Sequence, residues 1–296
     1  MSKLVRLLVL ALVAALAIAA AGCGSGGSKS KGGTVTVLDV GGGIDSLDPG
    51  YWYYETDYTE IAQPTQMWLY GWKPNDTSPS PEIATGMPVV TNGGKTITIK
   101  IKPGIKYSPP LQNRTVKAAD IKYAITRCGF PSVGNGYFGV YYSEIKGAAD
   151  VLAGKSKDLP GVATPNDTTL VINTDKPVGV LADAQALALP CTVPVPQDYA
   201  AKYDKGSTST YGQHQVFTGP YMVKGAESGT IGNAGYQSGK SLDLVRNPSW
   251  NKSLDIHPAY LNEIKETCCG DPAVVFAGST LSATTSSGGP VYFPLG

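Results

Sequence analysis

Asp45, Glu55 and Asp57 stand close enough in this sequence to suggest carboxylate chemistry, one acting as acid and another as base or nucleophile in a glycosidase-like pair. Spacing along the chain does not fix their separation in space. Other catalytic kits are missing: there is no H-E-x-x-H, no G-x-S-x-G, no complete P-loop, and the only histidines are His214 and His257. Gly134-Asn135-Gly136-Tyr137-Phe138-Gly139 spells G-x-G-x-x-G, but that fingerprint works only between a strand and the helix whose N-terminus meets a pyrophosphate. Here it follows a helical pattern and Pro131, so no dinucleotide site is expected. Aromatic density is the positive signal. Tyr51-Trp52-Tyr53-Tyr54, Trp68, Tyr70, Trp72, Tyr137 and Tyr141-Tyr142 supply rings with polar tips, the side chains that line ligand clefts. Four successive aromatics cannot all face one core, so the 51–54 run is a candidate binding surface, whereas Trp68 and Trp72 are expected to pack inside.

The N-terminus sets the compartment in which such a surface would work. Lys3 and Arg6 precede an apolar run over residues 7–21, and Ala20-Ala21-Gly22-Cys23 closes it with small residues before a cysteine. This pattern predicts a lipoprotein signal over residues 1–22 and a lipid-modified Cys23, with a secretory signal cut elsewhere as the alternative, because Ala20 stands where lipoboxes usually carry Leu. The apolar run is shorter than the roughly 20 residues of a spanning helix, and the Gly/Ser/Lys-rich residues 23–32 read as a flexible tether. The expected location is the outer face of the cytoplasmic membrane.

Removing residues 1–22 takes two of 24 basic residues and none of 23 acids, leaving a net charge of −1. No nucleic-acid partner is expected. Four thiols follow Cys23: Cys128, Cys191, Cys268 and Cys269. In an exported protein they point to disulfides, with three pairings open; Cys268 and Cys269 are adjacent and poorly placed to bridge each other, and Cys128 with Cys191 is the expected pair. The histidines stand apart from the cysteines, so neither a metal nor a cofactor is expected.

The elements that must position the aromatic residues read as a mixture without strict β-α alternation, an irregular α/β or α+β chain. Residues 34–40 alternate as a strand. Val89-Val90, the turn Asn92-Gly93-Gly94 and residues 96–102 form a hairpin in which Ile97, Ile99 and Ile101 face one way. Thr115 is expected to cap a helix over residues 116–128, with Ile121, Ala124, Ile125 and Cys128 on one stripe. A second helix is expected over residues 143–153, a strand over 168–174, a helical segment over 180–189 and a strand pair over 221–224 and 242–246. The N-x-[ST] strings at Asn75, Asn113, Asn166 and Asn251 read as turns.

Taken together, several segments resemble the family 5 extracellular solute-binding proteins, receptors that deliver peptides, nickel complexes or oligosaccharides to ABC importers. They are Gly32-Gly33-Thr34-Val35-Thr36-Val37, Asp45-Ser46-Leu47-Asp48-Pro49, Gly94-Lys95-Thr96-Ile97-Thr98-Ile99 running on to Pro103-Gly104-Ile105-Lys106-Tyr107, and Lys117-Ala118-Ala119-Asp120-Ile121. Thr218-Gly219-Pro220-Tyr221, Arg246-Asn247-Pro248-Ser249-Trp250 and Leu261-Asn262-Glu263-Ile264 follow in the family's order. The resemblance implies a type II periplasmic-binding-protein fold of the cluster with an extra domain. Its first lobe would take residues 33–62 and 185–265, and the extra domain residues 63–184. It also implies a ligand cleft lined by Tyr53, Tyr54 and Glu55, through side-chain and backbone hydrogen bonds, with Tyr137 closing one edge. The partners implied are a peptide or other small solute, ABC permease subunits and, through the lipid, the membrane, with the chain itself a monomer and no enzyme.

Two details depart from the family pattern: Lys117 stands where relatives carry a capping Thr, and Pro109-Pro110 interrupts the turn after Tyr107. Length departs further. Relatives run to about twice this size, their second lobe follows the Asn-Pro-x-Trp strand, and residues 266–296 form a low-complexity tail that matches nothing in the family pattern, so a truncated receptor with the second lobe missing and weak affinity is expected. The alternatives are an exported carboxylate hydrolase of carbohydrate or cell-wall substrates, and a bare surface interaction module.

Overall fold

The computed structural model describes residues 32–39, 43–73 and 76–268. The expected signal, Cys23, nearly all of the tether, Asn75, Cys269 and the tail beyond it lie outside the described residues, as does Val40 at the end of the first predicted strand. Among the described residues no helix is long and apolar enough to cross a membrane.

The strands in chain order are β1 (Thr34–Asp39), β2 (Tyr70–Gly71), β3 (Ser80–Pro81), β4 (Val89–Thr91), β5 (Thr96–Lys100), β6 (Val162–Asn166), β7 (Thr169–Asn173), β8 (Tyr221–Val223), β9 (Tyr236–Gln237), β10 (Ser241–Arg246) and β11 (Glu263–Cys268). One sheet runs β1-β11-β10-β8 with β9 beside β10; β1 and β11 are parallel and the other pairs antiparallel. A second, wholly antiparallel sheet runs β4-β5-β7-β6, and β2 pairs β3. The period-2 reading of β5 holds: Ile97 and Ile99 are buried opposite Ile172 and Leu170, and Thr96, Thr98 and Lys100 turn away. Asn92 and Gly93 have φ of 51° and 61°, a left-handed turn that Asn and Gly enter cheaply.

Buried apolar side chains form two clusters. One gathers Trp52, Ile61, Trp68, Phe217, Met222, Leu242 and Leu244 against the β1-β11-β10-β8 sheet. The other packs Ile97, Ile99, Leu170 and Ile172 against Ile121, Ile125 and Cys128 of the helix Ala118–Cys128, and includes Leu187, Cys191 and Tyr211. Cys128 and Cys191 are joined by a disulfide with a Cα–Cα separation of 5.8 Å, fixing the helix end to the proline-rich segment.

Four expectations need correction. Thr115 does not cap the helix; it pairs with Lys106 as an isolated bridge, and the cap is Lys117, whose N–H donates to the Asp120 carboxylate at 3.0 Å. The 143–153 helix shortens to Ala148–Leu152, because Ile145 bridges Thr174 and Gly147 takes a φ of 87°. The 180–189 segment breaks at Ala184, whose φ of 63° separates a turn of helix at Gly179–Ala182 from a 3₁₀ turn at Ala186–Ala188. Trp68 is buried as expected, but Trp72 is 42% exposed. Asn166 and Asn251 do form turns, accepting from Thr168 N and Ser253 N at 3.0 Å each.

Candidate functional site

The 44–57 loop is built around a buried carboxylate. Asp57 is fully buried at the start of a π-helical turn, Asp57–Ala62, and accepts main-chain N–H groups from Asp45 at 2.9 Å, Tyr53 at 3.1 Å and Tyr54 at 3.3 Å. Both carboxylate oxygens are thus committed to holding the backbone, which explains how so polar a group sits in the interior. Trp52 is fully buried and its indole N–H donates to Ser46 O at 2.7 Å. Pinning one aromatic and three backbone amides inward drives the neighbours out: Tyr51, Tyr53 and Tyr54 are 40, 48 and 55% exposed.

Tyr137 comes to the same place from the second motif region. Its hydroxyl donates to Tyr53 O at 3.0 Å, and its ring lies 4.8 Å from that of Tyr53. Tyr54 packs edge-on to Tyr53 at 5.5 Å, and Tyr141 lies 6.0 Å from Tyr137. The glycine-rich string has a packing role here. A Cβ on Gly136 would sit 2.7 Å from the Tyr53 ring, so any side chain here displaces that ring. Asn135 donates to Gly50 O at 2.6 Å and accepts from Tyr137 N and Phe138 N at 2.8 and 2.9 Å, joining the two tyrosine-bearing segments. Burial pushes the phenols of Tyr137 and, further, Tyr58 up, so both stay protonated.

The structure therefore brings the exposed Tyr53 and Tyr54 together with the partly buried Tyr137 into one aromatic face, with Glu55 exposed at its edge. It alters the expected chemistry of that face. The amides of Tyr53 and Tyr54 donate to Asp57, and Tyr53 O accepts from Tyr137, so what these residues offer a ligand is their side chains. Asp57 is no general acid or base in this setting, because its oxygens are filled by backbone donors and closed to solvent.

Beneath the loop, Arg127 is fully buried and makes a bidentate pair with Asp48 at 2.7 and 2.8 Å and a second pair with Asp204 at 3.1 and 2.8 Å. Ser209 adds bonds to both carboxylates, Tyr123 donates to Asp204 at 2.8 Å, and the Tyr211 ring lies 4.9 Å from the guanidinium carbon. Burial alone would raise Asp204, but Arg127 and the hydroxyl donors outweigh it and hold the carboxyl below its usual value. This network fixes the Asp48-Pro49-Gly50 turn from which the tyrosine run departs. A cavity of about 180 Å³ opens beside it, lined by Asp45, Ser46, Asp48, Tyr51, Ser132 and Thr208 among others.

Sequence reading did not single out Arg127, Asp204 or Asn135, whose partners lie tens of residues away. The only signal was local: Asp48 inside the Ser-Leu-Asp-Pro string, and Asn135 between glycines. The histidines have partners as well. His214 stacks on Tyr203 at 4.0 Å, and His257 lies between Asp255 at 3.2 Å and Glu82 at 3.3 Å. Burial disfavours the His257 cation, yet the two carboxylates prevail and push its pKa up to about 10.

Comparison with known proteins agrees with this architecture. No curated protein matches the chain. Among solved structures, the clavulanic acid biosynthesis oligopeptide binding protein 2 superposes with a TM-score of 0.67 at 25% identity, over 85% of this chain and 43% of that one. OppA of Listeria monocytogenes bound to peptide gives 0.65 at 22% identity, over 84% and 45%. The pheromone receptor PrgZ gives 0.66 at 24% identity, over 83% and 45%. The chain thus spans less than half the length of these proteins, and its mixed α/β fold is that of the type II periplasmic binding proteins. Residues 78–277 match the bacterial extracellular solute-binding proteins, family 5 Middle, and the chain belongs to that family, which is one of receptors for solutes and not of enzymes.

Proposed function

We propose that this chain is a lipid-anchored, extracytoplasmic solute-binding subunit of an ABC importer, with oligopeptides as its ligand class. The observation that carries the reading is the aromatic face of exposed Tyr53 and Tyr54 backed by partly buried Tyr137, its backbone held by Asp57 and Asn135 in a chain of a solute-receptor family. Aromatic side chains with polar tips suit an extended peptide, offering apolar contact to its side chains and phenol hydrogen bonds to its amides. Glu55 would add a negative charge at the edge for a ligand ammonium group. The names of the relatives above, an oligopeptide binding protein and a peptide-bound OppA, favour peptides over the other solutes of the family.

Residues 33–62 and 185–265 would form one lobe, which β11 carries on to Cys268, and 63–184 the extra domain. The buried cluster around Trp52, Phe217 and Leu244 supports the first, and the cluster around Ile97, Ile121 and Ile172 the second, with Leu187, Cys191 and Tyr211 packing on the latter. Cys23 would carry the acyl anchor and the permease would receive the solute. Titration calorimetry of the full-length chain in detergent with a pool of tri- to pentapeptides tests the binding claim. Saturable binding without peptide cleavage, weakened at least about tenfold in Tyr54→Ala, is expected for one lost aromatic contact. Absence of binding, or turnover of glycosides that disappears in Asp45→Asn, contradicts it. Release of Cys23→Ser from the membrane fraction tests the anchor.

A further inference from the structure

Three carboxylates outside the tyrosine face meet at the end of the β1-β11 pair. Asp39 ends β1, Glu60 lies in the π-helical turn and Glu266 lies in β11; one oxygen from each falls within 4.8 Å of the others. The register shows why Glu266 is buried. It stands opposite Leu242 and next but one to Ile264, which stands opposite Leu244, so it shares the face on which Leu242 and Leu244 are 2 and 1% exposed. Alternation sends Glu263 and Lys265 to the other face, where Lys224 and Lys265 approach Glu263 at 3.6 and 3.7 Å. The lysines of this sheet therefore answer Glu263 and not Glu266.

Glu266 is 4% exposed, and its Oε1 has no hydrogen-bond partner among the described residues; the same holds for the buried Oε2 of Glu60. The neighbours that bear most on Glu60 are Glu266, Asp39 and Asp57, all acids. Two carboxylates held together in a poorly solvated site need either a shared proton, which neutralises one of them, or a cation between them.

We propose that Asp39, Glu60 and Glu266 form a binding site for a divalent cation of the calcium class. Oxygen-only donors select a hard cation over transition metals, and Ca–O bonds of about 2.4 Å accommodate ligand oxygens up to about 4.8 Å apart, with water filling the other positions. The ion would tie β1 and β11 to the turn that directly follows Tyr53, Tyr54 and Glu55. This goes beyond the solute-binding reading and does not depend on it.

The test is the melting temperature of the full-length chain in detergent, in EDTA and in calcium, beside Glu60→Gln and Asp39→Asn. Gln at position 60 keeps the size of the side chain and can donate to Glu266 as a protonated Glu60 would, so it preserves the fold while removing the charge. Calcium at about 100 times its dissociation constant is expected to raise the wild-type melting temperature by several degrees, with little gain in either variant. Calorimetry should give one calcium per chain in the wild type. A wild type unmoved by millimolar calcium or magnesium, beside a Glu60→Gln variant at least as stable, overturns the proposal in favour of a shared proton. A calcium gain that survives both substitutions also overturns it, by placing the ion elsewhere.

Discussion

The Arg127 centre and the tyrosine face lie on two sides of one loop and use polar groups in opposite ways. Arg127, Asp48, Asp204 and Ser209 satisfy one another in the interior. Above them Tyr53 and Tyr54 have their amides bound to Asp57 while their rings face solvent. The contrast teaches that rigidity and availability are separate products of the same segment. The backbone is saturated, so the rings are presented with little freedom to lose on binding, which is how a small aromatic surface gains affinity.

The largest effect that sharpens this contrast is expected from Arg127→Met. It strands Asp48 and Asp204 in the interior, and breaking a buried pair from one side costs about 3–5 kcal/mol; urea unfolding should show that loss or no folded protein at all. Asp57→Ala comes next. It leaves the amides of Asp45, Tyr53 and Tyr54 without their acceptor, at a cost of about 1–3 kcal/mol, and limited proteolysis should show cleavage appearing in the 44–57 loop.

Gly136→Ala should separate the two functions more cleanly. The new methyl meets the edge of the half-exposed Tyr53 ring, which has solvent on one side into which to turn, so stability should fall by no more than about 1 kcal/mol while peptide affinity drops. His257 supplies a pH test away from both regions. Its pKa is raised from 6.5 to about 10, so its contribution is complete below pH 6.5 and disappears as pH rises through 10. The melting temperature should decline across that window, and the difference from His257→Asn should shrink with it. Tyr54→Ala should move stability least, within about 0.5 kcal/mol, although it removes part of the proposed ligand surface.

Local patterns were the legible part of this fold. The alternation of Ile97, Ile99 and Ile101, the turn at Asn92-Gly93 and the stripe of Ile121, Ala124, Ile125 and Cys128 are each decided by neighbours within a few residues, and the structure keeps them. Ala184 was opaque because a left-handed alanine is imposed by the packing around it, not by its own preference. Trp72 was misplaced because composition does not say that the ring just past β2 turns to solvent while Tyr70 within it is buried. At the site, the Tyr53, Tyr54 and Tyr137 grouping followed from the family resemblance, but Arg127, Asp204 and Asn135 act through partners distant in sequence. The roles of Asp57 and Gly136 were equally hidden. A carboxylate that pins backbone amides and a glycine that clears room for a ring carry no mark in the sequence.

The most direct test of the tyrosine face as a ligand surface is NMR of the ¹³C-tyrosine-labelled chain, titrated with tri- to pentapeptides. Resonances of Tyr53, Tyr54 and Tyr137 should shift together, while those of the fully buried Tyr107, Tyr142 and Tyr211 stay in place. Shifts that spare all three of these rings while the peptide binds elsewhere, or no shift at millimolar peptide, would contradict the account.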